Sequence, residues 1–308
     1  MKESNDTPSF QSDSLQRFIF DNAAIRGEWV HLHDTWQAVT SRRSYPVVLQ
    51  TLLGEMMSAA ALLAATVKID GRLVLQIKST GPVKVLMVEC TSDDTLRAFA
   101  QWDEDAAMAE DATLVDLTGE GTLAITIEVD GAAQPYQGVV ALDGGSIPEL
   151  LETYFRQSEQ LKTRVWLSAN TDMAAGLLLQ QLPHAERSTE EDEEEAWVRI
   201  SHLASTVSQD ELVTLGAGTL LHRLFHEEIC RLLTTTILSF ACSCSRERVA
   251  NTINLLGQHD AMELVEEQET IEVACEFCNE HYYFDKADVA LIFAHSGAGT
   301  IFDSGTVH

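Results

Sequence analysis

Basic residues are scarce in this 308-residue sequence: 20 Lys and Arg stand against 48 Asp and Glu, a formal charge of -28. A surface of that sign repels phosphate backbones and anionic bilayers alike, so neither nucleic acid nor a membrane surface is the expected partner. The opening stretch Met1 to Asp13 is polar and lacks the basic segment and apolar segment of a secretory leader. No uninterrupted apolar run is long enough to span a bilayer. A cytoplasmic location is the resulting expectation. Also missing are G-x-S-x-G, Walker and dinucleotide-binding motifs, which removes the usual sequence grounds for a serine hydrolase, a P-loop NTPase or a Rossmann oxidoreductase. What remains is a chain with 45% hydrophobic residues, long enough for two folded domains.

Cysteine is sparse as well, but four of the six are clustered as Cys242-Ser-Cys244 and Cys275-Glu-Phe-Cys278, thirty residues apart. In a reducing compartment such clusters bind metal or do redox chemistry more often than they form permanent disulfides. Four soft sulfur ligands from a C-x-C and a C-x-x-C are most simply satisfied by one tetrahedral Zn²⁺ per chain. Cys90 and Cys230 lie beside apolar stretches and read as small buried hydrophobes.

The chain before the quartet divides by composition. Ile25 to Leu32 is expected as a strand, Thr35 to Val39 as a short helix, and Pro46 opens a long helix with apolar residues at three- and four-residue steps from Leu49 to Val67. Turn residues at Asp70-Gly71, Thr80-Gly81-Pro82, Asp130-Gly131 and Asp143-Gly144-Gly145 then separate strands at Leu73–Ile77, Val83–Cys90, Leu96–Trp102, Leu123–Val129 and Tyr136–Leu142. A helix over Ile147–Gln157 and strands at Thr163–Leu167 and Gly176–Leu182 complete a domain over 14–183. Its class is α+β: a large N-terminal domain of antiparallel sheet with helices packed on it.

Residues 184–239 read as an acidic and helical linker. Glu190 to Glu195 is an unbroken acidic run, expected to be solvated and flexible. Short amphipathic helices follow: one bears Trp197, Ile200 and Leu203, one starts at the capping box Ser208-Gln-Asp-Glu211, and one carries Leu220, Leu221, Leu224 and Phe225. Each is too short to hold itself together, so they must dock on another surface, and that docking is expected to have low local stability. Residues 240–295 form a small C-terminal zinc-binding domain, with helices after Cys244 and from Asp260, two short strands around the C-x-x-C, and a last helix capped by Asp285. So few large apolar groups cannot fold such a module unaided, and metal binding would supply the difference. The polar tip and the stretch from Gly297 to His308 are expected to be disordered.

A zinc–thiolate quartet is both a strong ligand set and an oxidisable one. The residues alone leave three readings open: a purely structural zinc site, a redox site, and a thiol-disulfide oxidoreductase. The last lacks a thioredoxin-like βαβ setting around its C-x-x-C. A zinc-ribbon nucleic-acid binder is opposed by the charge. His31, His33, His222, His226 and His281 are ligands by type only, since four thiolates already close the shell, and Asp285 with Asp288 reads as a helix cap and not a catalytic pair.

Cys242-Ser-Cys244-Ser-Arg-Glu-Arg248 and Cys275-Glu-Phe-Cys278-Asn-Glu-His-Tyr282 resemble the zinc switch of the heat shock protein 33 family of redox-regulated holdase chaperones. The resemblance extends to Phe20-Asp-Asn-Ala-Ala-Ile-Arg-Gly27, Tyr154-Phe-Arg-Gln-Ser-Glu-Gln160, Gly176-Leu-Leu-Leu-Gln180 and His222-Arg-Leu-Phe-His-Glu-Glu228. Lys162 stands where a proline is expected, and Ile229 to Leu238 is more apolar than expected. The resemblance implies an ATP-independent chaperone without substrate turnover, inactive while reduced and zinc-bound. Oxidation would form Cys242–Cys244 and Cys275–Cys278 disulfides and release zinc. The linker would then loosen, apolar surface would bind unfolding client proteins, and the chain would form a homodimer.

Overall fold

The structure, a computed structural model, describes residues 13–67, 70–143, 145–183 and 189–297, with the side chains of 295–297 left aside. The expectations for the polar tip and the C-terminal tail lie essentially outside these residues. Two compact units divide at Ala241/Cys242.

The first unit opens with β1 (Ser14–Phe20), β2 (Ile25–Leu32), α1 (Asp34–Thr40) and α2 (Val47–Thr66), followed by β3 (Gly71–Ser79), β4 (Val83–Thr91), β5 (Thr95–Trp102), α3 (Leu114–Thr118), β6 (Gly121–Val129) and β7 (Tyr136–Ala141). Then come α4 (Ile147–Tyr154), β8 (Thr163–Ala169), β9 (Ala174–Gln181), α5 (Glu190–Ala204), α6 (Gln209–Thr214), α7 (Ala217–Phe225), β10 (Cys230–Ile237) and β11 (Ser239–Phe240). The expected antiparallel sheet is in fact two sheets, ordered β10-β1-β2-β9-β8 and β11-β5-β4-β3-β6-β7, with only the β11–β5 pair parallel. The division follows from α2, which packs against strands of both sheets and whose Leu49, Leu53, Met56, Met57, Leu62 and Leu63 are fully buried. A helix this apolar is long enough to cross a membrane, but here it fills the core between two sheets. Its C-terminal carbonyls are held by Arg17, donating to Ala65 O at 3.2 Å, and Arg26, donating to Thr66 O at 3.2 Å, where cations complement the helix dipole.

Three strands of the first sheet serve two cores. Side chains alternate across a strand, so Leu15, Val30, Leu32, Ala174 and Leu178 point to the α2 core, while Phe18, Phe20, Ile25, Trp29, Leu177 and Leu179 point to a second cluster. That second face is covered by Trp197 and Ile200 of α5, Leu212 and Val213 of α6, and Leu220, Leu224 and Phe225 of α7. Gly27 is required there, because a Cβ would lie 2.1 Å from the ring of Phe18.

Several expectations need correction. The acidic run Glu190 to Glu195 is helical: Thr189 and Asp192 form a reciprocal capping box at the start of α5, and the carboxylates sit at the positive end of the helix dipole. The helix from Ile147 ends at Tyr154 and passes into a π-type turn over Phe155–Glu159, closed by Gln160 at φ 54°. Ser14–Phe20 is a strand although its apolar and polar residues are mixed. Ile229 to Leu238 contributes the edge strand β10, paired with β1. Cys90 is buried as expected, but Cys230 is only half-buried because β10 has a partner on one side alone.

The second unit contains α8 (Arg246–Leu256), α9 (Gln258–Gln268), β12 (Thr270–Ala274), β13 (His281–Asp285) and α10 (Lys286–Gly297). Gly257, at φ 92°, makes the corner between α8 and α9 in a region that side chains disfavour. Ile253, Ala261, Val265, Ile271, Phe284 and Val289 are its buried apolar cluster among the described residues.

Candidate metal centre

Two local devices bring the four cysteines together. Cys242 and Cys244 lie on the extended segment entering α8, where Ser245 caps the helix by accepting from Arg248 N at 3.2 Å. Cys275 and Cys278 lie in the turn of the β12–β13 hairpin. Cys275 N donates to Glu280 O at 2.9 Å, Asn279 N donates to Cys275 O at 2.8 Å, and Asn279 takes φ 57°, a conformation asparagine tolerates better than most residues. Arg246 ties the two devices, donating to Tyr283 O at 2.7 Å and to Asp288 Oδ2 at 2.8 Å while its guanidinium lies 4.3 Å from the centre of the Phe284 ring.

All four sulfurs are half-buried and lie within 4.8 Å of one another. Cys242 and Cys275 are 3.7 Å apart, and Cys244 and Cys278 are 3.3 Å apart. A tetrahedral zinc–thiolate site with bonds of about 2.3 Å has sulfur–sulfur edges of about 3.8 Å, so the quartet fits that ion. The short contacts run between the two motifs, and no disulfide is formed. Charge points the same way. Burial works against the Cys242 thiolate, but hydrogen bonds from Cys244, Cys278 and Cys275 outweigh it and bring the group down to about 7, whereas burial pushes Cys275 and Cys278 upward. Four thiolates at these distances need a cation to stabilise them together. The Tyr282 hydroxyl donates to Cys244 Sγ at 3.2 Å.

The histidines go elsewhere. His281 Nδ1 pairs with Glu272 at 2.6 Å, His33 with Asp34 at 2.7 Å, and the exposed rings of His222 on α7 and His226 just after it meet edge to face at 6.3 Å. His31 is buried on β2, stacked on Trp29, with Nε2 donating to the carbonyl of Val213 in α6 at 2.9 Å. It therefore joins β2 to α6, a role its sequence neighbourhood gives no sign of. Asp285 and Asp288 form the cap of α10, with Asp288 N donating to Asp285 Oδ1 at 2.8 Å. His259, Asp260 and Glu263 also approach one another on α9, all exposed; hydrated side chains of this kind place no demand on an ion comparable to the quartet's. Burial pushes the thiols of Cys90 and Cys230 up to about 12 and about 11, which keeps both protonated and unreactive near neutral pH. The C-x-x-C sits in an antiparallel hairpin and not at the strand-to-helix turn of a thioredoxin-like unit.

Residues 13–285 match the family model described as Hsp33 protein. Among curated proteins, the 33 kDa chaperonins of Pseudomonas putida and Pseudomonas aeruginosa are each 48% identical to this chain, covering 96% of it and 98% and 99% of their own lengths. Among solved structures, the 33 kDa chaperonin (heat shock protein 33 homologue) of Thermotoga maritima superposes with a TM-score of 0.78 at 22% identity. That match covers 92% of this chain and 99% of the other, and it speaks to the fold alone.

Proposed function

The chain belongs to the Hsp33 family of chaperones, and from that premise we propose that it is a redox-regulated, ATP-independent holdase switched by Cys242, Cys244, Cys275 and Cys278. The observation that carries the reading is the pairing of a four-sulfur cluster with a module whose buried apolar cluster is so small. Zinc, when bound, supplies a counter-charge to the thiolates and the free energy that folds the module. Residues 14–183 act as the platform, 184–239 as the linker and 240–295 as the switch.

In the reduced state the cysteines hold the module folded. Oxidation balances as two thiolates and one peroxide: one sulfur attacks a peroxide oxygen, the O–O bond breaks to give a sulfenic acid and hydroxide, and a second thiolate displaces hydroxide to form the disulfide. Two such steps give Cys242–Cys244 and Cys275–Cys278 and leave no thiolate ligands. The chain preceding Cys242 is β10 and β11, each pairing with a platform strand. Unfolding of the module frees one end of this segment, and α5, α6 and α7 then lose part of what holds them to β1, β2 and β9. Their departure uncovers Phe18, Phe20, Trp29 and Leu177, an apolar face suited to segments of unfolding proteins and to a homodimer of the active form. A reducing compartment such as the cytoplasm keeps the switch closed.

The test compares reduced, zinc-loaded protein with the same protein after peroxide at a temperature that loosens the module. Release of one zinc per chain, two disulfides, and suppression of aggregation of a thermally unfolding client are expected. An oxidised, zinc-free protein that leaves aggregation unchanged would overturn the reading.

A further inference from the structure

The β12–β13 hairpin carries two adjacent tyrosines that the pleat sends opposite ways. Tyr283 is about half exposed and donates its hydroxyl to Glu272 Oε1 at 3.2 Å, on the surface. Tyr282, opposite Val273, lies against the module's apolar cluster and donates its hydroxyl to Cys244 Sγ at 3.2 Å. A phenol at this position does more than fill space, because phenylalanine would pack the same ring and leave the sulfur without that donor. A hydrogen bond to an ionised acceptor is among the stronger ones, and it withdraws electron density from the lone pair that would attack an electrophile.

We propose that Tyr282 is a positioning residue of the switch: its hydroxyl, held on Cys244 Sγ, slows attack by that thiolate on peroxide and so raises the oxidant level at which the quartet opens. This rests on the redox reading of the quartet. The step it governs is the one already balanced, with Cys244 Sγ as the attacking atom, peroxide as the two-electron oxidant, and a second thiolate of the quartet displacing hydroxide from the sulfenic sulfur. The Tyr282 proton stays on its oxygen throughout. The hydrogen bond occupies the sulfur lone pair in the resting quartet and is lost as that pair turns to the peroxide oxygen, so its removal is expected to speed attack about threefold.

The experiment uses full-length, zinc-loaded protein and three forms: wild type, Tyr282→Phe, and Tyr283→Phe as a control from the other face of the hairpin. Peroxide-driven zinc release is followed with a colorimetric chelator, and labelling of each cysteine by limiting iodoacetamide is mapped by mass spectrometry. Tyr282→Phe is expected to release zinc about threefold faster and to gain label selectively at Cys244, with Tyr283→Phe matching wild type. Unchanged rates in Tyr282→Phe overturn the proposal. So does equal acceleration of all four cysteines, the signature of a merely loosened module. If reduced wild type holds no zinc, the redox reading of the quartet falls separately, while selective labelling at Cys244 still decides what the Tyr282 hydroxyl does.

Discussion

The two faces of the β10-β1-β2-β9-β8 sheet are lined by comparably apolar residues from the same three strands, yet they are closed very differently. One is sealed by α2, twenty residues of continuous helix whose side chains reach both sheets. The other is covered by α5, α6 and α7, of fifteen, six and nine residues. Helices below about 12–15 residues are marginal in isolation, so α6 and α7 exist because they are docked. The covered face also holds Trp29 Nε1 and Ser201 Oγ, both buried without a hydrogen-bond partner among the described residues, which weakens the docked state further. Gly216 precedes α7 and Gly218 sits in its first turn, both with open space around them, and glycine weakens a helix at such a position. One sheet thus carries, back to back, a core sealed by one long helix and a face covered by three shorter ones.

The comparison can be broken or sharpened experimentally, and the largest effect is expected at the cysteines. Replacing Cys275 and Cys278 by serine removes half of the ligand set, withdrawing a binding free energy of order 10 kcal/mol for a structural zinc site. Circular dichroism and amide exchange should show the second unit unfolded and the β3–β7 sheet intact. Next in size are paired core truncations. Leu53→Ala on α2 and Leu220→Ala on α7 should each cost about 2–5 kcal/mol. The first should lower the melting temperature of the whole first unit, whereas the second should raise protease sensitivity within 190–225 and leave the α2 core protected. Equal global effects would erase the distinction between the faces.

Smaller again is a pH effect through His31. Burial lowers its pKa from the ordinary 6.5, opposed by the bond to Val213 and the field of Asp13 and aided by His33. The docked state therefore favours the neutral ring, while an undocked ring takes up a proton at its ordinary value. Docking is at full strength above about pH 6.5 and weakens as the pH falls below it, by at most about 1.4 kcal/mol per pH unit. Exchange of the α5–α7 amides, corrected for intrinsic rates, should be faster at pH 5.5 than at pH 7.5, and His31→Gln should flatten that dependence. The smallest change is Thr189→Ala, which removes the α5 cap at about 1 kcal/mol and should fray Glu190 to Glu195 without releasing α6 or α7.

The regions legible in the sequence were those where local pattern and tertiary role agree. The heptad-like spacing from Leu49 to Val67, the strand-and-turn rhythm from Leu73 to Leu142, and the capping box at Ser208 all read directly. The quartet was legible because C-x-C and C-x-x-C are specific in residue type and spacing. What escaped depends on partners distant in sequence. Glu190 to Glu195 looks like a solvated run until Thr189 is seen to cap it. Cys230 to Ile237 becomes a strand only beside β1, and the assignment of its neighbours to two sheets requires α2 between them. His31 offered a ligand by type, but its partner is a backbone carbonyl 182 residues away, which no local pattern records. Tyr282 was visible within the motif beside Cys278, though not the direction of its hydroxyl.

The claim that holds these parts together is that the state of four cysteines decides whether α5, α6 and α7 stay on the sheet. It is tested most directly by amide exchange of residues 190–225 measured on the same sample with zinc content, before and after peroxide. Loss of zinc accompanied by loss of protection in α5–α7, with α2 still protected, is the predicted result. Loss of zinc with α5–α7 fully protected would contradict it.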